Sequence, residues 1–71
     1  MKRYFLAFYS GTTESGNSAT GYMDFDTVDN YLNYGRAIEQ IKEASLPVKF
    51  RGLVLTNIIE LSETDMKAFK D

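Results

Sequence analysis

Apolar positions along this chain fall into alternating runs and helical stripes. The longest run is Leu53-Val54-Leu55-Thr56-Asn57-Ile58-Ile59-Glu60-Leu61, which contains neither Gly nor Pro and lies between Gly52 and Ser62. Aliphatic and β-branched residues at that density predict a strand buried on at least one face. Residues 4–9 form a second run, apolar in both alternating sets: Tyr4, Leu6 and Phe8 on one side, Phe5, Ala7 and Tyr9 on the other. A strand apolar on both sides belongs at the centre of its sheet. In residues 19–25, Gly21, Met23 and Phe25 share one face and Thr20, Tyr22 and Asp24 the other. This predicts a third strand, with Gly21 marking a bulge or a close backbone approach.

Helical spacing appears next. Tyr31, Tyr34, Ile38 and Ile41, with Ala37 and Ala44 beside them, form an amphipathic stripe, while Arg36, Glu39, Gln40, Lys42 and Glu43 lie largely on the other side. Residues 26–30 supply a turn with several N-cap candidates. Gly35 costs roughly 1 kcal/mol relative to Ala inside a helix, which moves the expected start from Asn30 toward Asn33. Pro47 ends the helix after about Ser45. Ser62-Glu63-Thr64-Asp65 has the form of a capping box with Asp in place of Glu or Gln, and Leu61 and Met66 sit at the staple positions. A short terminal helix carrying Met66 and Phe69 on one side is expected. Residues 10–18, rich in Ser, Thr, Asn and Gly, predict a hairpin loop longer than usual.

These elements imply one compact β-β-α-β-α domain over residues 1–71. The class is α+β: a three-stranded antiparallel or mixed sheet, one main helix on one face, and a short C-terminal helix. Spatial order 2-1-3 puts the doubly apolar first strand in the middle. The alternation places Met23, Phe25, Leu55, Ile59 and Leu61 under the main helix, with Leu6 and Phe8. The opposite face then carries Phe5, Tyr9, Tyr22, Val54 and Ile58. An apolar patch of that size on a small domain marks an interface, so these residues are the candidate interface of a homodimer.

Composition narrows the chemistry. With 71 residues, a single core is marginal and is commonly reinforced by disulfides, a metal or a partner chain. There is no Cys and no His, which excludes disulfides, thiolate sites and the commonest general base and transition-metal ligand. Oligomerisation is the remaining remedy. Eight Lys and Arg against ten Asp and Glu give a net charge of −2, which argues against binding nucleic acid through phosphate neutralisation. No apolar run has membrane-spanning length. The basic start, Met1-Lys2-Arg3, precedes an apolar stretch too short for a signal peptide, so a cytoplasmic protein is expected.

Candidate chemistry is sparse. Thr12, Thr13, Glu14, Ser15, Gly16 and Asn17 form a possible ligand loop whose amides would cradle an anion. A phosphate loop, however, needs Gly-Lys-Ser/Thr and a following helix, whereas here a Glu stands in the loop and a strand follows. Asp24, Asp26 and Asp29 cluster near one strand end without the spacing of a cation-binding loop, and turn and capping roles account for them. Aromatics on the first strand and Tyr22 suit base stacking, but no basic rim accompanies them. Ser10, Ser15 and Ser18 lack the base that a nucleophile requires. A non-enzyme without metal or cofactor is expected.

Residues 2–9, Thr20-Gly21-Tyr22-Met23, the single amphipathic helix and the closing residues 54–61 together resemble small, mostly uncharacterised proteins of bacteriophages and other mobile elements. That resemblance implies a phage origin and a protein that binds a host protein, including components of bacterial immunity. The expected function is therefore a non-catalytic binding protein, a phage-encoded inhibitor of a host defence protein acting as a homo-oligomer. The alternatives are a small-ligand or nucleotide-sequestering protein using the 10–18 loop, and a structural subunit.

Overall fold

A computed structural model describes residues 1–70; Asp71, the last position of the expected domain, lies outside the described residues. The elements are β1 (Lys2–Thr13), β2 (Ser18–Val28), α1 (Tyr34–Ser45), β3 (Phe50–Leu61) and α2 (Glu63–Lys70). The three strands form one sheet in the order β2-β1-β3, and both neighbouring pairs are antiparallel. β1 holds the middle position that its two apolar faces require.

The hairpin is longer and its loop shorter than the composition implied. Residues 10–13 continue β1 and Ser18 opens β2, so the loop is residues 14–17. Thr is a good strand former, and Ser10, Thr12 and Ser18 lie together on the sheet face away from α1, whereas Thr13 is buried. The turn closes through Thr13 N–H to Asn17 O at 2.8 Å and Gly16 N–H to Thr13 O at 2.9 Å. Gly16 has φ +93°, a backbone state that a side chain disfavours.

The sheet register corrects the expected faces. Phe5, Ala7 and Tyr9 lie on the α1 side, opposite Phe25, Met23 and Gly21 of β2. The core beneath α1 is Phe5, Ala7, Phe25, Leu32, Ala37 and Ile41, with Tyr9, Met23, Leu53, Leu55 and Ile58 packed against it. Leu6 and Phe8 therefore face away from α1. Apolarity on both sides of β1 left its orientation open to its partners. Gly21 helps to decide it: a Cβ there would lie 2.6 Å from the Tyr9 hydroxyl, so the Tyr9 ring occupies the space glycine leaves.

β3 departs from simple alternation for a different reason. Phe8 pairs with Asn57 and Tyr9 with Leu55, leaving Thr56 as an extra residue. Such a bulge reverses the parity of everything beyond it. Leu53 and Leu55 face α1 before the bulge and Ile58 does so after it. Ile59 and Leu61 consequently lie on the opposite face, contrary to the unbroken alternation expected over residues 53–61.

The helices follow their sequence signals more closely. Asn33 caps α1, its side-chain oxygen accepting the Arg36 N–H at 2.9 Å. Ala37 and Ile41 are buried and Ile38 partly so, but Tyr34 and Ala44 are exposed. The Tyr34 hydroxyl instead accepts the Leu55 N–H at 3.1 Å. Ser62 caps α2 through the Asp65 N–H at 3.1 Å. α2 packs on β1 and β3, on the side away from α1, where Leu6 and Met66 are both buried.

A half-covered sheet face as the candidate functional site

The face away from α1 is a ladder of side chains from three strands. Its rows run Asp26–Tyr4–Leu61, Asp24–Leu6–Ile59, Tyr22–Phe8–Asn57, Thr20–Ser10–Val54 and Ser18–Thr12–Gly52. α2 covers the first rows and leaves the rest open. Across the boundary runs a chain of rings: Phe8 to Tyr22 at 6.1 Å and Tyr22 to Phe69 at 5.4 Å, the latter edge to face. Tyr22 is 59 % exposed, Val54 53 %, Phe69 41 % and Ile59 40 %. The hydroxyl-bearing rows of Ser10, Thr20, Thr12 and Ser18 continue this surface toward the hairpin end.

Of the residues expected at an interface, Tyr22 and Val54 lie on this open face. Phe5 is fully buried under α1, and Tyr9 and Ile58 pack against the same core. Those three are removed from the candidate surface by the orientation of β1 and the bulge at Thr56. Phe8, Ile59 and Phe69 replace them. Phe8 and Ile59 carried the right chemistry but the wrong parity, whereas Phe69 was visible as part of the α2 stripe.

The expected ligand loop is bound to itself. Thr12 and Thr13 are strand residues, and Thr13 is buried. The Thr13 hydroxyl meets the Ser15 hydroxyl at 2.9 Å and accepts the Asn17 N–H at 3.1 Å, and the Asn17 amide donates to Ser15 at 3.3 Å. The Glu14 N–H donates to Lys49 O at 2.9 Å. These groups are arranged as a turn and present no convergent amides to an anion.

The acidic cluster is likewise distributed among cations. Asp24 meets Lys70 at 2.9 Å and Asp26 meets Lys2 at 3.1 Å. The hydrogen bond to Asp26 pushes the Lys2 pKa up. Asp29 lies beside the Met1 nitrogen, and its own N–H donates to Met1 O. Among the described residues no group of three Asp, Glu, His or Cys side chains is placed to hold a metal ion.

On the α1 side, Arg3 and Glu60 form a two-pronged ion pair, Nε to Oε2 at 2.9 Å and Nη2 to Oε1 at 2.8 Å. The Arg3 hydrogen bond holds the Glu60 carboxyl below its ordinary range, and the same contact raises Arg3. The Arg3 guanidinium also lies 5.4 Å from the Phe5 ring centre and 5.7 Å from that of Tyr31. This cluster ties the central strand, β3 and the segment that leads into α1 together, which is a structural role.

A groove of about 640 Å³ runs beside β2, between the start of α1 and the end of α2, with Phe25, Leu32 and Met66 among its apolar lining and Arg36 and Lys70 among its polar lining. Among the described residues no helix is long and apolar enough to cross a membrane. No protein-family model matches the chain, and neither does any curated protein or solved structure.

Proposed function

We propose that this chain is a non-catalytic binding protein that uses the open sheet face to hold a protein partner. The observation that carries this reading is the contiguous strip of Phe8, Tyr22, Phe69, Val54 and Ile59, left exposed or half-exposed on one face of the sheet. Aromatic rings beside aliphatic side chains, with hydroxyl groups at the margin, have the make-up of a protein interface: an apolar centre and a polar rim. The phage-like pattern of the sequence narrows the partner to a host protein, and a host defence component is the narrowest form of the proposal. Self-association belongs to the same reading, because a small core gains from a second copy.

The test places a photo-crosslinking residue at Val54 or Ile59 and, as control, at Glu39 on the outer face of α1, in bacterial host extract. One saturable host protein joined from the sheet positions, and lost in Tyr22→Asp, is the expected result. Equal labelling from Glu39, or capture unchanged in Tyr22→Asp, would refute the site.

A further inference from the structure

The two edges of this sheet are not alike. The outer edge of β3 is interrupted by register shifts opposite Phe8/Tyr9 and Thr12/Thr13, and the Tyr34 hydroxyl occupies the Leu55 N–H. β2 has 11 residues, no Pro and an unbroken register with β1. At the two ends of that register Thr13 N–H donates to Asn17 O and Asp29 N–H to Met1 O. Hydrogen-bonded pairs alternate in an antiparallel ladder, so the odd-numbered residues of β2 bond to β1. The backbone N–H and C=O groups of Ser18, Thr20, Tyr22, Asp24, Asp26 and Val28 therefore point outward. Among the described residues they have no backbone partner beyond the sheet. Long, unbroken edges of this kind pair with another strand unless something blocks them.

We infer that β2 is the self-association edge of this protein, pairing antiparallel with β2 of a second copy about a two-fold axis at Tyr22. The side chains are compatible with this register. It sets Asp24 opposite the partner's Thr20 and Asp26 opposite the partner's Ser18, so no carboxylate faces another. Moving the axis to Asp24 would place the two copies of Asp24 face to face, and moving it to Phe25 would oppose Asp24 to Asp26; both are unfavourable. On the α1 side the same register sets Gly21 opposite the partner's Met23 and Ala19 opposite the partner's Phe25, small against large in each case. It also uses every outward group from Ser18 to Asp26, each pair exchanging two hydrogen bonds. The groove beside Phe25 leaves room for the incoming strand. The two open faces would join into one continuous surface, with both Tyr22 rings at its centre.

This inference gives a geometry to the self-association proposed above, and its test separates it from the partner reading. Sedimentation across micromolar to millimolar concentration should report a dimer. Hydrogen exchange in that dimer should protect the amides of Thr20, Tyr22 and Asp24, which exchange freely on dilution, while Gly21 and Met23 stay protected throughout. Tyr22→Pro removes an outward N–H without touching the β1 ladder, a position where an edge strand tolerates Pro, and should give a folded monomer. Thr20→Asp puts a carboxylate opposite the partner's Asp24 at two symmetric places and should weaken the dimer several-fold; Thr20→Lys should tighten it several-fold. Val54→Asp, on the far strand, should leave the dimer intact while abolishing partner capture. A monomer at millimolar concentration, or a dimer indifferent to charge at position 20, would overturn the inference.

Discussion

Deleting Thr56 offers a sharp test of how β3 is built. In an unbroken strand, removing one interior residue reverses every side chain beyond it. Ile58 would leave the core, at a cost of roughly 1.5–3 kcal/mol for that side chain alone, and Glu60 would leave Arg3. In the observed register the outcome is opposite. Tyr9 pairs with Leu55 and Phe8 with Asn57, so without Thr56 those partners become consecutive and the ladder closes with all faces preserved. The main loss is local: the Leu55 N–H bond to the Tyr34 hydroxyl, about 0.5–1.5 kcal/mol if it does not re-form. Urea denaturation followed by circular dichroism measures this directly. With a slope of about 1 kcal/mol per molar for so small a domain, the midpoint should fall by roughly 0.5–1.5 M. Thr56→Ala, at an exposed position, should change it by no more than about 0.5 M. A deletion variant that is unfolded, or weaker by more than about 3 kcal/mol, would refute the bulge assignment.

Other consequences are as readily measured. Ser62→Ala should cost about 1 kcal/mol and raise hydrogen exchange across residues 63–70; unchanged protection there would contradict the capping role. Gly16→Ala forces a side chain into a positive-φ state, costing about 1–2 kcal/mol, and should lower Tm by several degrees, which calorimetry would detect. Because the Glu60 carboxyl is lowered by its Arg3 hydrogen bond, the stability it supplies is present above the ordinary carboxylate range. That contribution is lost as pH falls through that range to its depressed value. Glu60→Gln should therefore flatten the acid limb of the stability curve, and an identical limb in variant and wild type would show that the pair contributes nothing to it.

The readable parts of this fold were those where one local signal had one meaning. Asn33 and Pro47 bracket α1 because a cap and a blocked amide act at single positions, and Gly35 falls in its first turn. Ser62 with Met66 does the same for α2. The middle place of β1 follows from apolar side chains on both its faces, and that same property hid which set faces α1. The choice falls to neighbours: Phe25 pairs with Phe5, and Gly21 makes room for Tyr9. The bulge at Thr56 carries no composition signal, so alternation read across it misplaced Ile58, Ile59 and Leu61 together. Leu32 is buried from a connecting segment without periodicity. The hydroxyl residues of the hairpin looked like a loop because a solvated strand face and a loop share the same amino acids. The candidate surface inherited these errors, retaining Tyr22 and Val54 and losing Phe5, Tyr9 and Ile58.

The strand order has a consequence for how the molecule comes to be folded. β1 and β2 are joined by a short turn, and an isolated hairpin closes in roughly 1–10 μs. Arg3 and Glu60, in contrast, are 57 positions apart along the chain, and contacts of such high sequence separation are reached late. During that interval the strand destined for the interior is itself a boundary, with unpaired amides along one side and aromatic rings above and below. A second hairpin in the same condition is a competing partner. Refolding yield should therefore fall steeply with protein concentration even where the final structure is stable, since the hairpin exposes the β1 edge in addition to the β2 edge that the mature sheet keeps.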